Sequence, residues 1–152
     1  MTIKTTDRKN ELGEVYTPPR IVEEMINQIP NKFWADPTKN TFEPTCGNGN
    51  FLVGIIKKKL ACGQTLLEAL GSTYGADIMA DNVRESRERL AAFCKKLKTN
   101  KQIALQIIAN NIRQVNTLEF QDWNDLFTKL EYLTPKELKS VEAEAQRLLA
   151  YC

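Results

Sequence analysis

Apolar positions along this chain come in short bursts whose spacing alternates between helical and extended. Ile21, Val22, Met25, Ile26 and Ile29 share one helical face. Thr17 suits the cap of that helix, and Pro18 its first turn. Pro30 to Asn40, with two prolines and several polar residues, reads as loop. A strand follows near Thr41–Glu43, then a helix burying Leu52, Val53, Ile55, Ile56 and Leu60. Leu66, Leu67 and Leu70 continue the helical pattern beyond a break at Gly63. Tyr74–Ile78 reads as a second strand, and Val83, Leu90, Phe93 and Leu97 as the next helix, capped by Asp81. Ile103–Ile108 fits either period. Taken as helix, it leaves Ile112–Val115 as a short third strand.

The pattern changes in kind after Phe120. Trp123, Leu126, Phe127 and Leu130 predict a short amphipathic helix. Thr134-Pro135-Lys136-Glu137 forms a capping box with proline at the first helical position, and Val141, Ala145, Leu148 and Leu149 give the last helix its apolar face. Strands alternating with helices predict a parallel sheet, so the fold class is α/β with a helical C-terminal tail. The expected divisions are a polar leader over 1–12, a ligand-binding unit over 13–120 and the tail over 121–152.

Composition narrows the function classes. The chain has 152 residues, 42% apolar and 26% charged, which suits one globular domain with a real core. No apolar run approaches the roughly 20 residues of a membrane span, and Met1 to Glu14 is polar, so the expected location is the cytoplasm, with no membrane partner. There is no histidine, and the four cysteines, Cys46, Cys62, Cys94 and Cys152, form no Cys-x-x-Cys. A zinc site and a Ser-His or Cys-His catalytic centre are therefore not expected. Net charge is +2, too small to be a nucleic-acid footprint by itself. Residues 1–118 carry 17 basic and 12 acidic side chains, and residues 119–152 carry 4 and 7. Lys57-Lys58-Lys59 and Lys95-Lys96 could touch phosphates, but with so modest an excess of charge the favoured reading is solvated lysines on helix surfaces.

The chemistry concentrates in Glu43-Pro44-Thr45-Cys46-Gly47-Asn48-Gly49-Asn50-Phe51-Leu52: a strand end, a turn with two glycines and a helix start. Glycines there permit close backbone approach, and the helix N-terminus offers free N–H groups. This stretch resembles the S-adenosylmethionine loop of the N6-adenine DNA methyltransferases, Asp-Pro-Ala-Cys-Gly-Ser-Gly-Asn-Phe. Tyr16-Thr17-Pro18, about 30 residues earlier, resembles the N-terminal motif of the same enzymes. The order of the two motifs matches as well.

The resemblance implies a shortened Rossmann-like class I methyltransferase fold, a three-layer α/β/α stack, of restriction-modification or phage type. It implies S-adenosylmethionine as cofactor, with Tyr16 and Thr17 at its methionine end. Glu43, Thr45, Cys46, Gly47, Asn48, Gly49, Asn50 and Phe51 form the loop. Asp77 would take the ribose hydroxyls beside Ile78, and Asn116 would lie near the adenine where relatives usually have aspartate. Asp77 closing a strand also serves as a helix-capping acid, Asn116 equally well as a turn residue, and Glu43 as an acid holding loop amides.

The resemblance covers about residues 13–120 and then stops. Relatives end a fourth strand in Asn/Asp-Pro-Pro-Tyr/Phe, which binds the target amine and stacks on the flipped base. Here the only Pro-Pro is Pro18-Pro19, and Asp36-Pro37 is followed by Thr-Lys. No catalytic residue is assigned. Without a fourth strand, one edge of the first would lie open, inviting the tail, a second copy or a partner chain. Three functions compete: a cofactor-binding protein without transfer of its own, half of a split DNA methyltransferase, or a small enzyme acting on the cofactor itself or on a small acceptor through carboxylates such as Glu14 or Glu43.

Overall fold

The structure, a computed structural model, describes Arg8 and residues 14–152. Apart from Arg8, the polar leader and Gly13 lie outside the described residues. Three short strands, β1 (Thr41–Glu43), β2 (Thr73–Asp77) and β3 (Ile112–Gln114), form a parallel sheet in the order β1-β2-β3. Thr41 pairs with Thr73 and Glu43 with Gly75, while Gly75 pairs with Ile112 and Asp77 with Gln114. Parallel neighbours need long crossovers, and helices supply them. Between β1 and β2 run α3 (Asn50–Ala61) and α4 (Leu66–Gly71); between β2 and β3 run α5 (Ala80–Ala91) and α6 (Lys101–Asn111).

The helices α1 (Pro19–Asn27) and α2 (Asn31–Ala35) precede the sheet, and α7 (Pro135–Leu148) follows it. One core joins Leu52 and Ile56 of α3, Val83 and Leu90 of α5, Leu105 and Ile108 of α6, and Ala145 and Leu148 of α7. A second cluster packs Val22 and Ile26 of α1 and Trp34 of α2 against Ile55. No described helix is long and apolar enough to cross a membrane.

The sheet's two faces are covered differently. A Cβ at Gly75 would come within 3.0 Å of the Leu52 side chain, so α3 presses on that face. On the other, Phe42 meets Trp123 and Phe127 edge-on at 5.0 and 5.1 Å between ring centroids, and Phe127 also packs on Tyr74. Arg113, in register with Ala76, donates to the Leu126 carbonyl. Rings from an irregular segment thus meet Phe42, where a three-layer stack calls for a second layer of helices. The expected amphipathic helix through Trp123–Leu130 is replaced by 3-10 turns at Trp123–Leu126 and Leu130–Tyr132. The rings face a sheet rather than a helical neighbour, so the tail covers a face and leaves the β1 edge unpaired among the described strands.

Three other local expectations are corrected. Pro30–Asn40 contains α2, because Trp34 is buried and donates its indole N–H to the Ile26 carbonyl at 3.2 Å. Helix α1 starts at Pro19 with Pro18 in the cap position and no side-chain cap, so Thr17 is not the cap. At α5, Met79 holds the cap position and Asp81 falls in the first turn. The capping box at Thr134 is present, with Glu137 N–H donating to the hydroxyl and Thr134 N–H to the carboxylate.

Helix α7 is bound to α5 by charge, with Arg147 2.9 Å from Glu88 and Arg87 3.3 Å from Glu144. Leu148 is fully buried in the main core. Leu148→Ala is therefore expected to cost about 2–5 kcal/mol, the range for a large-to-small change in a packed core. Urea unfolding followed by circular dichroism should show one transition at lower midpoint. A separate early transition would mean that the tail melts on its own.

Candidate active-site cleft

At the C-terminal ends of β1 and β2 lies a cleft of about 500 Å³, lined by Glu14, Val15, Tyr16, Thr17, Glu43, Thr45, Cys46, Gly47, Asn48, Asn50, Phe51, Asp77, Ile78 and Met79. The sheet creates it: β1 delivers Glu43 and the glycine loop, and β2 delivers Asp77. Gly47 (φ +53°) and Gly49 (φ +93°) take left-handed backbone that side chains resist. Space forbids substitution too. A Cβ on Gly47 would stand 3.1 Å from the Tyr16 ring, and one on Gly49 3.0 Å from Ser86 Oγ.

The N-terminal segment closes one wall. The Tyr16 hydroxyl lies 2.9 Å from Glu14 Oε1 and 3.0 Å from Asn82 Oδ1, its single proton serving one at a time. Asn82 donates its amide to Glu14 and, at 3.2 Å, to Asp77 Oδ1. Arg8 pairs with both Glu14 and Asp81. Burial pushes the Glu14 carboxyl up, but hydrogen bonds from Asn82, Tyr16 and Arg8 outweigh it and hold it below the ordinary range. Burial raises the Tyr16 hydroxyl, reinforced by the Glu14 carboxylate.

Asp77 organises the floor. Its Oδ2 accepts from Gly47 N–H at 2.9 Å, and its Oδ1 from Met79 N–H at 2.8 Å. Glu43 is half-buried, its carboxyl raised by burial against a weak opposing bond from Thr45 N–H at 3.4 Å. Burial pushes the Cys46 thiol up to about 12, which favours the thiol over the nucleophilic thiolate. Among the described residues the lining holds three acids and no lysine or arginine.

Of the residues that the sequence singles out, Tyr16, Thr17, Glu43, Thr45, Cys46, Gly47, Asn48, Asn50, Phe51, Asp77 and Ile78 converge on this cleft. Gly49 lies behind the wall, against α5. Asn116 stands apart from the lining in the turn after β3, where its side-chain oxygen accepts from Leu118 N–H at 3.1 Å. Sequence reasoning missed Asn82, Ser86 and Arg89. Their i, i+4, i+7 spacing places them on one face of α5, and that polar stripe facing the glycine loop was the available signal.

The loop, the acid at the end of β2 and the Tyr-Thr-Pro segment thus form one site. The N-6 DNA methylase family model matches residues 1–125 of the chain. The chain belongs to the N-6 DNA methylase family. No curated protein and no solved structure matched it. N-6 DNA methylases usually use S-adenosylmethionine and act on DNA, and the cleft can be tested against that cofactor on its own atoms.

The fit is good. Asn48 is 2% exposed, yet its Nδ2 donor has no partner among the described residues. An unpaired buried amide costs free energy that a ligand acceptor would relieve. Beside it, α3 begins after Gly49, and its first N–H groups lie beyond the reach of intrahelical carbonyls. These donors suit a carboxylate. The three acids suit a ligand with positive centres and hydroxyls, and S-adenosylmethionine has all of these groups.

Proposed function

We propose that this chain binds S-adenosylmethionine in the cleft between the glycine loop and the Tyr16 segment. The observation that carries the reading is the pairing of an orphaned donor, Asn48 Nδ2, with an otherwise acidic lining. Asn48 and the N-terminus of α3 would receive the carboxylate of the methionine end, with Tyr16 and Thr17 beside it. Asp77 would take the ribose hydroxyls, Ile78, 60% exposed at the rim, would offer an apolar surface to the adenine, and Asn116 would approach its edge. When bound, the sulfonium supplies an electrophilic methyl group that needs no activating side chain. The chain's own residues bind and orient.

Placement of an acceptor amine is a separate task. The sequence has no Asn/Asp-Pro-Pro-Tyr/Phe, and burial favours the Cys46 thiol over its thiolate. On this reading the isolated chain holds cofactor and does not methylate DNA. A second reading, half of a split DNA methyltransferase completed by a partner chain, is favoured by one observation: among the described strands β1 pairs only with β2, leaving an edge for another strand. A second copy of this chain would compete for the same edge.

Calorimetric titration with S-adenosylmethionine tests the proposal. The expected result is one-site binding in the micromolar range, displaced by S-adenosylhomocysteine, with no labelled methyl reaching duplex DNA. No binding by a folded chain would overturn it.

A further inference from the structure

Asn50, the first residue of α3, carries a side-chain amide whose two ends face opposite ways. Its Oδ1 accepts from Arg89 Nη1 at 2.8 Å, and its Nδ2 donates to the Thr17 carbonyl at 2.8 Å. The amide cannot sit the other way round, because a guanidinium only donates and a carbonyl only accepts. Arg89 Nη1 also donates to the Asn48 carbonyl at 2.9 Å. One cation on α5 therefore grips both residues flanking Gly49, and through Asn50 that grip extends to the segment closing the cleft. The opposite end of the segment is held by Tyr16 and Glu14 at Asn82. Between these anchors the Tyr16 ring lies against Gly47.

We propose that Asn50 is a latch: its amide, oriented by Arg89, holds Tyr16–Thr17 closed over the cleft and sets how long a ligand stays. Arg89 is then a positioning residue, and Asn50, which also lines the cleft, acts on the ligand through the segment it holds. The consequence for ligand residence rests on the cofactor reading; the consequence for the segment itself does not.

Asn50→Asp separates the parts. The carboxylate keeps the bond from Arg89 and is favourable at a helix N-terminus, so the fold should hold. It cannot donate to Thr17, and oxygen then faces oxygen. In the unliganded full chain, amide exchange of a peptide spanning 14–18 is expected to rise at least ~10-fold, with exchange elsewhere and the thermal midpoint near wild type. Arg89→Met, which frees the amide to rotate, should loosen both this peptide and the 46–50 loop. Unchanged exchange over 14–18 in Asn50→Asp, or an equal rise throughout the chain, would overturn the latch.

The second arm uses S-adenosylmethionine. Asn50→Ala, which loses the bond to Thr17 without adding charge beside the ligand carboxylate, is expected to speed its dissociation at least ~10-fold while association stays within about 2-fold, since loosened closure acts mainly on leaving rates. Slower association with unchanged dissociation would overturn the residence claim. If the wild-type chain binds no S-adenosylmethionine, the cofactor reading fails while the exchange measurement still decides the latch.

Discussion

Asp77→Asn is expected to weaken S-adenosylmethionine binding by about 10²–10⁴-fold, with the chain still folded. Two hydroxyls donating to a carboxylate are worth about 1.5–3 kcal/mol each, and about 1.4 kcal/mol is a factor of ten. Asparagine keeps the volume and removes the charge. It also changes the floor of the cleft. Asp77 now accepts from Gly47 N–H on one oxygen and from Met79 N–H and Asn82 on the other. An amide must present its NH₂ to one of these sides, setting donor against donor. A stability loss of about 1–3 kcal/mol is expected from the unmet donors. Titration well below the variant's melting temperature separates the two effects, with circular dichroism confirming the fold. An unchanged dissociation constant in folded Asp77→Asn would remove the ribose from this residue and require another orientation of the ligand.

The legible parts of this fold were those fixed by local chemistry. Gly47 and Gly49 announced a turn that needs positive φ, and both adopt it. Thr134 and Glu137 announced a helix start three residues apart, and each bonds the other's backbone. The burst-and-break pattern gave all three strands to within a residue or so. What was illegible is decided by distant partners. Helix α2 is five residues between prolines and is held by a tryptophan reaching back to α1. Trp123 and Phe127, four apart, spell a helical face, but the aromatic surface of Phe42 and Tyr74 draws their rings onto the sheet. The site divides the same way. Its loop was readable as a motif, whereas Asn82, Ser86 and Arg89 act on it from a helix more than 30 residues on and needed the fold to bring them there.

The lysine run is the sharpest such case and gives the second large prediction. Lys57-Lys58-Lys59 reads as a solvated surface, and Lys57 is exposed while Lys58 reaches Asn27. Lys59 is 1% exposed, enclosed between the starts of β1 and β2. Its ammonium lies within hydrogen-bond distance of four oxygens, the Ser72 carbonyl at 2.9 Å, Ser72 Oγ at 2.8 Å, Thr73 Oγ1 at 2.9 Å and Thr41 Oγ1 at 3.0 Å, and shares its three protons among them. All four acceptors are neutral, and burial pulls the amine down to about 8. Lys59→Ala empties the space of a long stem and is expected to cost about 2–5 kcal/mol, as for other buried side chains cut to alanine. Lys59→Met should cost clearly less. It refills the space and removes the buried charge, and each of the four oxygens keeps another hydrogen-bond partner nearby. The charge itself shows in the pH profile. In the unfolded chain the amine titrates near its ordinary 10.5. Between about 8 and 10.5, then, the unfolded state holds a proton that the folded state has released, and this residue's contribution to stability rises with pH across that window. Below about 8 both states are protonated and the contribution is flat at its lowest. Other groups titrate there too, the Cys46 thiol with opposite sign since its folded value is raised, so the profile must be read as wild type minus Lys59→Met. Urea unfolding of both proteins at pH 7, 8, 9 and 10 should show the difference moving in favour of wild type above pH 8. A flat difference would mean that the four oxygens hold the ammonium charged throughout.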